Sequence, residues 1–413
     1  MTPELKGYLL LSVVKMLYVF FAILTGVALL TLAERKVSAW MQNRRGPNRV
    51  GWAGLLQPAA DGLKNIVKEE TLPAEANKIL FMLAPAMAFI PALLLSAVIP
   101  FGAPLPLEFD ITLPLLGRFT HSGPMPIVVA DLPVGFLFVL AIGSLGVYGI
   151  ALAGWSSNSK YSLLGGLRAS AQMVSYEVPL GLSLIPVLIL SGNVSLSQII
   201  ADQQTGLWFV GPLFLSFFLF LVSGFAETNR LPFDMPEAES ELIAGYHTEY
   251  SAMKFSMFFI AEYSNIVTIS AMVATIFFGG WDIPFTDWDQ QGGWLQTLVT
   301  ALFFFLKVGA FIFVVMWIRW TLPRFRYDQL MALGWKFMLP MALVYVMVIA
   351  IAVWVIEDVA GVVDPTARGL LLVALNVVLA GLLFFGLDRG LIVQGASRRA
   401  RTLDRAPGAQ AVP

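Results

Sequence analysis

Three glutamates sit inside long apolar runs, where a carboxylate is costly: Glu177 in AQMVSYEVPLGL, Glu262 in FSMFFIAEYSNIV and Glu227 at the end of VSGFAETNR. A charged side chain deep in a membrane span costs on the order of 3 kcal/mol or more, so such residues face a cavity, a partner or water. Burial raises a carboxyl pKa toward neutrality. Carboxyls at one depth, with Tyr176, Tyr263, Ser264 and Asn265 beside them, are therefore what a proton relay needs. For any one of the three, a neutral hydrogen-bonded packing glutamate is the plain alternative; three at one level fit that alternative less well.

The segment following Glu227 is charged in the opposite sense to most membrane-protein loops. ETNRLPFDMPEAESELIAGYHTEY sets Glu227, Asp234, Glu237, Glu239, Glu241 and Glu249 against Arg230 alone. Pro232 and Pro236 forbid an uninterrupted helix, and Leu231, Phe233, Leu242 and Ile243 imply a loop folded back into protein, against the alternative of a solvated acidic loop. An earlier segment, AERKVSAWMQNRRGPNRVGW, carries Arg35, Lys36, Arg44, Arg45 and Arg49 against Glu34. Two such segments on one membrane face are expected to pair and line a polar cavity just above the bilayer.

The elements that must hold these residues are membrane helices. The chain has 413 residues, 58% hydrophobic and 13% charged, with a mean hydropathy of +0.77. That is too apolar for a water-soluble surface. A bilayer core about 30 Å thick takes roughly 20 apolar residues per helix. Nine runs qualify, near 11–33, 80–100, 127–153, 170–190, 207–226, 255–279, 298–318, 337–356 and 369–388. The fold class is all-α: a polytopic transmembrane bundle of about nine helices. Segment 54–70 places Leu55, Leu56, Ala59, Leu63, Ile66 and Val67 near one face and Asp61, Lys64, Lys68 and Glu69 away from it, as in an amphipathic interfacial helix.

With alternate loops assigned to one side, every Lys and Arg falls together except Lys6, Arg118, Arg368 and the intrahelical Lys15 and Lys307. The positive-inside bias then makes the N-terminus periplasmic and the C-terminus cytoplasmic. Lys15 reads as a snorkelling end residue and Lys307 as one facing a polar interior. On the periplasmic side, loop 102–126 is proline-rich and loop 280–294 tryptophan-rich, as turns and an interfacial belt require. The first run is a retained helix, and an Arg-rich, Ser-rich transit peptide is missing, which favours a bacterial inner membrane.

Zero cysteines exclude a thiolate-held iron-sulfur cluster, and two histidines are too few for most multi-histidine metal or haem sites. No metal site is expected. Nor is nucleotide chemistry or a nucleic-acid partner, since neither a GxGxxG turn after a strand nor a Walker sequence occurs. No internal repeat is evident, which argues against many secondary-transporter plans.

Four blocks, at 33–69, 153–177, 226–250 and 317–340, of which PFDMPEAESELIAG is the most specific, resemble the H-subunit family of NADH-quinone oxidoreductase, respiratory complex I. That family is similar to mitochondrial NADH dehydrogenase subunit 1. The resemblance spans roughly residues 10–356. It implies a membrane subunit of proton-pumping complex I, lying between the hydrophilic quinone module and the membrane arm, with quinone as substrate. FMN and iron-sulfur clusters would sit on partner subunits only, and the other neighbour would be membrane lipid. Loops 34–79 and 227–254 would form the quinone chamber, with Glu34, Arg35, Arg45, Asp61, Arg230, Asp234, Glu237, Glu239, Glu241 and Glu249 lining or supporting it. Glu177, Glu227 and Glu262 would begin the carboxylate path that couples quinone reduction to proton translocation. The family usually has eight helices. Residues 1–356 would then be the family core, 357–390 an additional C-terminal helix and 391–413 a basic disordered tail. The alternatives are the homologous subunit of a hydrogenase-type or other electron-input complex, a stand-alone cation transporter, and a purely structural anchor.

Overall fold

Each of the nine apolar runs contains a helix in the computed structural model, which describes residues 2–113, 117–235, 243–284, 286, 288–290, 292–362 and 364–388. Glu237, Glu239 and Glu241, and the tail 391–413, lie outside the described residues.

Helix α1 (Pro3–Met41) starts with Thr2 Oγ1 accepting from the Leu5 amide and Pro3 in the first turn, where its missing N–H costs nothing. No proline interrupts the helix before it ends at Met41, ahead of Asn43 at φ 52, so its 39 residues span about 58 Å at 1.5 Å per residue. That is about twice the bilayer core. Glu34, Arg35 and Lys36, expected in a loop, therefore stand on the last turns of α1. The amphipathic helix forms as α2 (Gln57–Val67), with Leu63, Ile66 and Val67 exposed along one side.

The spans that follow are α3 (Lys78–Leu94), α4 (Gly135–Ser156) and α5 (Lys160–Ser191). A short α6 (Leu196–Thr205) leads to α7 (Phe214–Glu227). Then come α8 (Ala252–Phe277), α9 (Trp294–Thr321), α10 (Tyr327–Val359, with π-turns at Leu333–Met338 and Val355–Val359) and α11 (Pro365–Asp388). Among the described residues, eight helices are long and apolar enough to cross a membrane, and the chain is a multi-pass membrane protein. The ninth, α7, has 14 residues where a run from 207 was expected, because Gly211 and Pro212 break the ladder ahead of it. At about 21 Å it is too short to cross alone. Asn376 of α11 compensates: its Nδ2 donates to the Pro212 carbonyl at 2.6 Å, and its Oδ1 accepts from Tyr345 of α10 at 2.9 Å. Exposed broken backbone is not tolerated in lipid, and α11 covers this break.

Helix α5 runs down the middle of the bundle, packed against α4, α7 and α10, while α8 packs against α3 and α9. Leu184, Leu213, Phe220, Phe277 and Ile349 fill the core between them. The proline-rich segment makes more than turns: strands β1 (Leu105–Pro106) and β4 (Pro124–Met125) pair, as do β2 (Phe109–Leu113) and β3 (Gly117–His121), both antiparallel. The end of the bundle bearing this hairpin also receives the two intrahelical lysines. Lys15 donates to the Pro126 and Val128 carbonyls at 3.2 and 3.1 Å. Lys307 donates to those of Phe278, Gly280 and Asp282 at 2.7, 2.9 and 2.6 Å, and its ammonium lies 4.2 Å from the Trp208 ring centroid. Beside it, burial and a hydrogen bond donated to Asp282 push the Asp289 carboxyl up from its ordinary value.

Candidate functional site

The opposite end of the bundle collects the remaining charge. Glu34, 8% exposed, accepts from the Tyr263 hydroxyl through Oε2 and from Arg319 Nη1 through Oε1. Arg230, 7% exposed, places Nη1 4.0 Å from Glu34 Oε1 and Nη2 3.3 Å from Glu262 Oε2, with its guanidinium 4.4 Å from the Tyr263 ring centroid. Glu262 also accepts from the Tyr246 hydroxyl at 3.3 Å. Two carboxylates and two guanidiniums thus form one chain of contacts drawn from α1, the loop after α7, α8 and α9. A shared partner set of this kind is what offsets the desolvation of buried charge.

From Glu262 the polar groups continue into the bundle. Glu262, Asn265, Glu227, Asn229 and Tyr246 line one cavity, and Glu227 and Asn265 line a second with Thr268. The Asn265 Oδ1 is buried without a hydrogen-bond partner among the described residues, so the cavity offers a water an acceptor besides the two carboxyls. Glu177 accepts from Ser144 of α4, while the neighbouring Gly143 borders Glu227: a Cβ there would lie 3.4 Å from Glu227 Oε1. Glu227 thus shares a cavity with Glu262 on one side and, on the other, borders the α4 turn whose Ser144 bonds Glu177. The rest of the second cavity is walled by apolar side chains, Leu180, Leu184, Phe220 and Met272 among them.

The backbone after α7 turns sharply, with a cis Leu231–Pro232 peptide and Asn229 at φ 51. Phe233 stacks on Phe325, and Asp234 meets Arg324 at 3.0 Å. Burial pushes the Asp234 carboxyl up to about 6, against the pull of Arg324. The chain returns through Gly245–His247, where Gly245 lies directly against Gly165 of α5. Burial holds the His247 imidazole below its ordinary pKa, with Glu262 opposing. It also lifts the Tyr250 phenol to about 12.

The residues expected in the site divide into three groups. Glu34, Arg230, Glu262, Glu227 and Glu177 form the connected set, with Asp234 joined to it through the loop. Arg35 and Asp61 form a separate pair at 2.7 Å where α1 meets α2, with Lys64 at 3.8 Å from Asp61. Arg45 is exposed and Glu249 half-buried, its backbone carbonyl accepting from the Thr71 hydroxyl. Among the described residues, no ion pair joins the bases of segment 33–52 to the acids of 227–250. Asp234 is met by Arg324 instead, and Arg230 turns to Glu34 of the first segment and to Glu262 of α8. Arg319, Arg324, Ser144 and Tyr246 were missed. Arg319 and Arg324 look in the sequence like ordinary cationic anchors at a helix end, and only the WIRWTLPRFRYD spacing of arginines and aromatics hinted otherwise.

A family model described as NADH dehydrogenase matches residues 14–350. The second of the NADH-quinone oxidoreductase H subunits of Koribacter versatilis is 54% identical over 351 residues, covering 84% of this chain and 98% of the relative. The NADH-quinone oxidoreductase H subunit of Leptospira biflexa is 50% identical over 336 residues, 81% of this chain and 92% of the relative. The first of the H subunits of Geobacter sulfurreducens is 51% identical over 348 residues, 84% and 96%. Helix α11 begins after the residues that the family model matches.

Proposed function

Because the chain belongs to the H-subunit family of NADH-quinone oxidoreductase, a membrane component of that enzyme complex, we propose that its charged end forms the quinone-access chamber and the start of the coupling path. The chamber would be lined or supported by Glu34, Arg35, Arg45, Asp61, Arg230, Asp234 and Glu249, with Glu237, Glu239 and Glu241 contributed by the remainder of the loop. The observation that carries this is the unbroken run of contacts from Glu34 through Arg230 to Glu262, and of shared cavities from there to Glu227.

Reducing a quinone to a quinol consumes two electrons and two protons, and the electrons would arrive from partner subunits that hold FMN and iron-sulfur clusters. A change of charge near Arg230 and Glu34 acts at low local dielectric, so it alters the proton affinity of Glu262 before that of Glu227 or Glu177. Tyr246, Tyr263 and Ser144 are the hydroxyls placed to carry or stabilise protons between these carboxyls. The protein would lie in a bacterial inner membrane with its charged end cytoplasmic, facing the hydrophilic quinone module, and its glutamates directed toward the membrane arm. Residues 1–356 would be the working core and α11 an addition to it. The hydrogenase-type reading loses ground because the relatives are named for NADH and quinone.

The test uses the assembled complex in membrane vesicles. Glu227→Gln and Glu262→Gln should keep electron transfer from NADH to ferricyanide, which bypasses the membrane site, while quinone reduction and the attached proton uptake fall at least tenfold, about 1.4 kcal/mol of lost transition-state stabilisation. Full quinone-linked pumping in both variants would remove the coupling role.

A further inference from the structure

Gln172 of α5 is fully buried, five positions before Glu177, and nothing above assigns it a role. Its Nε2 donates to the Ala226 carbonyl at 2.8 Å and the Phe233 carbonyl at 2.8 Å, and lies 3.2 Å from Asn229 Oδ1. Each acceptor belongs to the residue just before a charged member of the site: Ala226 before Glu227, Asn229 before Arg230, Phe233 before Asp234. All three contacts are oxygens, which fixes the amide orientation, since the flipped form would turn its own oxygen on three others. Two N–H groups serve the two carbonyls and share the longer contact to Asn229. The Oε1 is buried with no partner among the described residues, so the side chain is held by its donor half alone.

The corner 226–233 needs such a holder. Helix α7 ends at Glu227, and among the described residues no strand pairs with those that follow it. Its buried carbonyls must find partners elsewhere. From the side of α9 and α10 the corner is gripped by the Phe325 amide on the Pro232 carbonyl at 3.3 Å and by Arg324 on Asp234. Near Gln172, Met173 contributes a weak sulfur contact to Asn229 Nδ2 at 3.5 Å. Gln172 is the group that ties both ends of the corner to α5, the helix that also carries Glu177.

We propose that Gln172 is a positioning residue for quinone-linked proton transfer, setting Glu227, Arg230 and Asp234 in register with one another and with Glu177. This rests on the function proposed above for those residues. The physical effect is on geometry: displacement of a reacting group by about 1 Å can cost up to about a hundredfold in rate.

The test compares assembled, purified complexes. Gln172→Met keeps the length and removes both donors; Gln172→Asn keeps the amide but draws it back by one methylene. Expected for Gln172→Met is unchanged NADH–ferricyanide activity, a fall of about tenfold in quinone-reductase kcat per assembled complex, a KM for quinone changed less than kcat, and a displaced acid limb of the pH profile. Gln172→Asn should show the same changes in smaller degree. A lower yield of complex with wild-type kcat and pH profile per complex would mean a merely structural role and overturn the proposal. If Gln172→Met yields no complex, Gln172→Asn decides on the same readouts, and wild-type kcat there overturns it. Should Glu227→Gln and Glu262→Gln slow turnover while Gln172→Met does not, this inference alone falls. Normal turnover in both glutamate variants would take down the functional reading and this inference with it.

Discussion

Two guanidiniums reach Glu34 and Glu262 from other elements, which makes each arginine hard to remove. Arg319→Met leaves Glu34 with Tyr263 and the more distant Arg230, and breaking a buried pair from one side costs about 3–5 kcal/mol. The expected outcome is a loss of assembled complex on native gels, larger than for Arg319→Lys. Asp234 supplies the pH dependence outside the spans. Its folded-state pKa, about 6, lies above the ordinary carboxyl value, so the folded protein retains a proton that the unfolded chain has lost. Stability from this group is complete below about pH 4 and is lost as pH rises through about 6. Conversely, the Arg324 pair weakens as pH falls through 6. The pH profile of quinone reduction should therefore carry an inflection near 6 that Asp234→Asn abolishes. An unchanged profile would show that Asp234 is a bystander. At this scale the sequence revealed which glutamates were costly, because burial cost can be read from hydropathy alone. It could not reveal Arg319 or Gln172, since an arginine closing a span and a glutamine within one acquire meaning only from residues more than fifty positions away.

Helices legible by apolar length were found where expected, but their ends were set by residues that hydropathy ignores. Helix α1 continues past the bilayer because no Pro or Gly interrupts 33–41, which carries Glu34 into reach of Arg319. Helix α7 starts late because of Gly211 and Pro212, and its deficit is made good by α11. Where elements touch through bare backbone, small substitutions should be severe. A Cβ on Gly165 would come within 2.6 Å of the Gly245 Cα, so Gly165→Val should push away the turn that carries Tyr246. Quinone reduction should fall with NADH–ferricyanide activity retained. At the hairpin end, Lys307→Met would orphan three carbonyls beside Asp282 and Asp289, each unsatisfied group costing about 1–3 kcal/mol. Thermal inactivation of the complex should shift several degrees downward.

For the whole molecule, polar chemistry is concentrated at one end and a sealing network at the other, with the apolar core of α5, α7 and α8 between them. The orientation proposed above is directly testable, since the sequence has no cysteine. In intact cells, Ser122→Cys should react with an impermeant thiol reagent and Arg49→Cys only after lysis. The inverse pattern would turn the molecule over. Deleting residues 361–413 should leave an assembling core, because the family match ends at 350, but one less heat-stable through the uncovered Pro212 carbonyl. The claim on which everything turns is that these carboxyls change protonation when quinone is reduced. A redox-triggered infrared difference spectrum of the assembled complex reads that change in the carboxyl C=O stretching region. The predicted result is a signal on quinone reduction that Glu262→Gln and Glu227→Gln each diminish. A difference spectrum identical in wild type and both variants would contradict it.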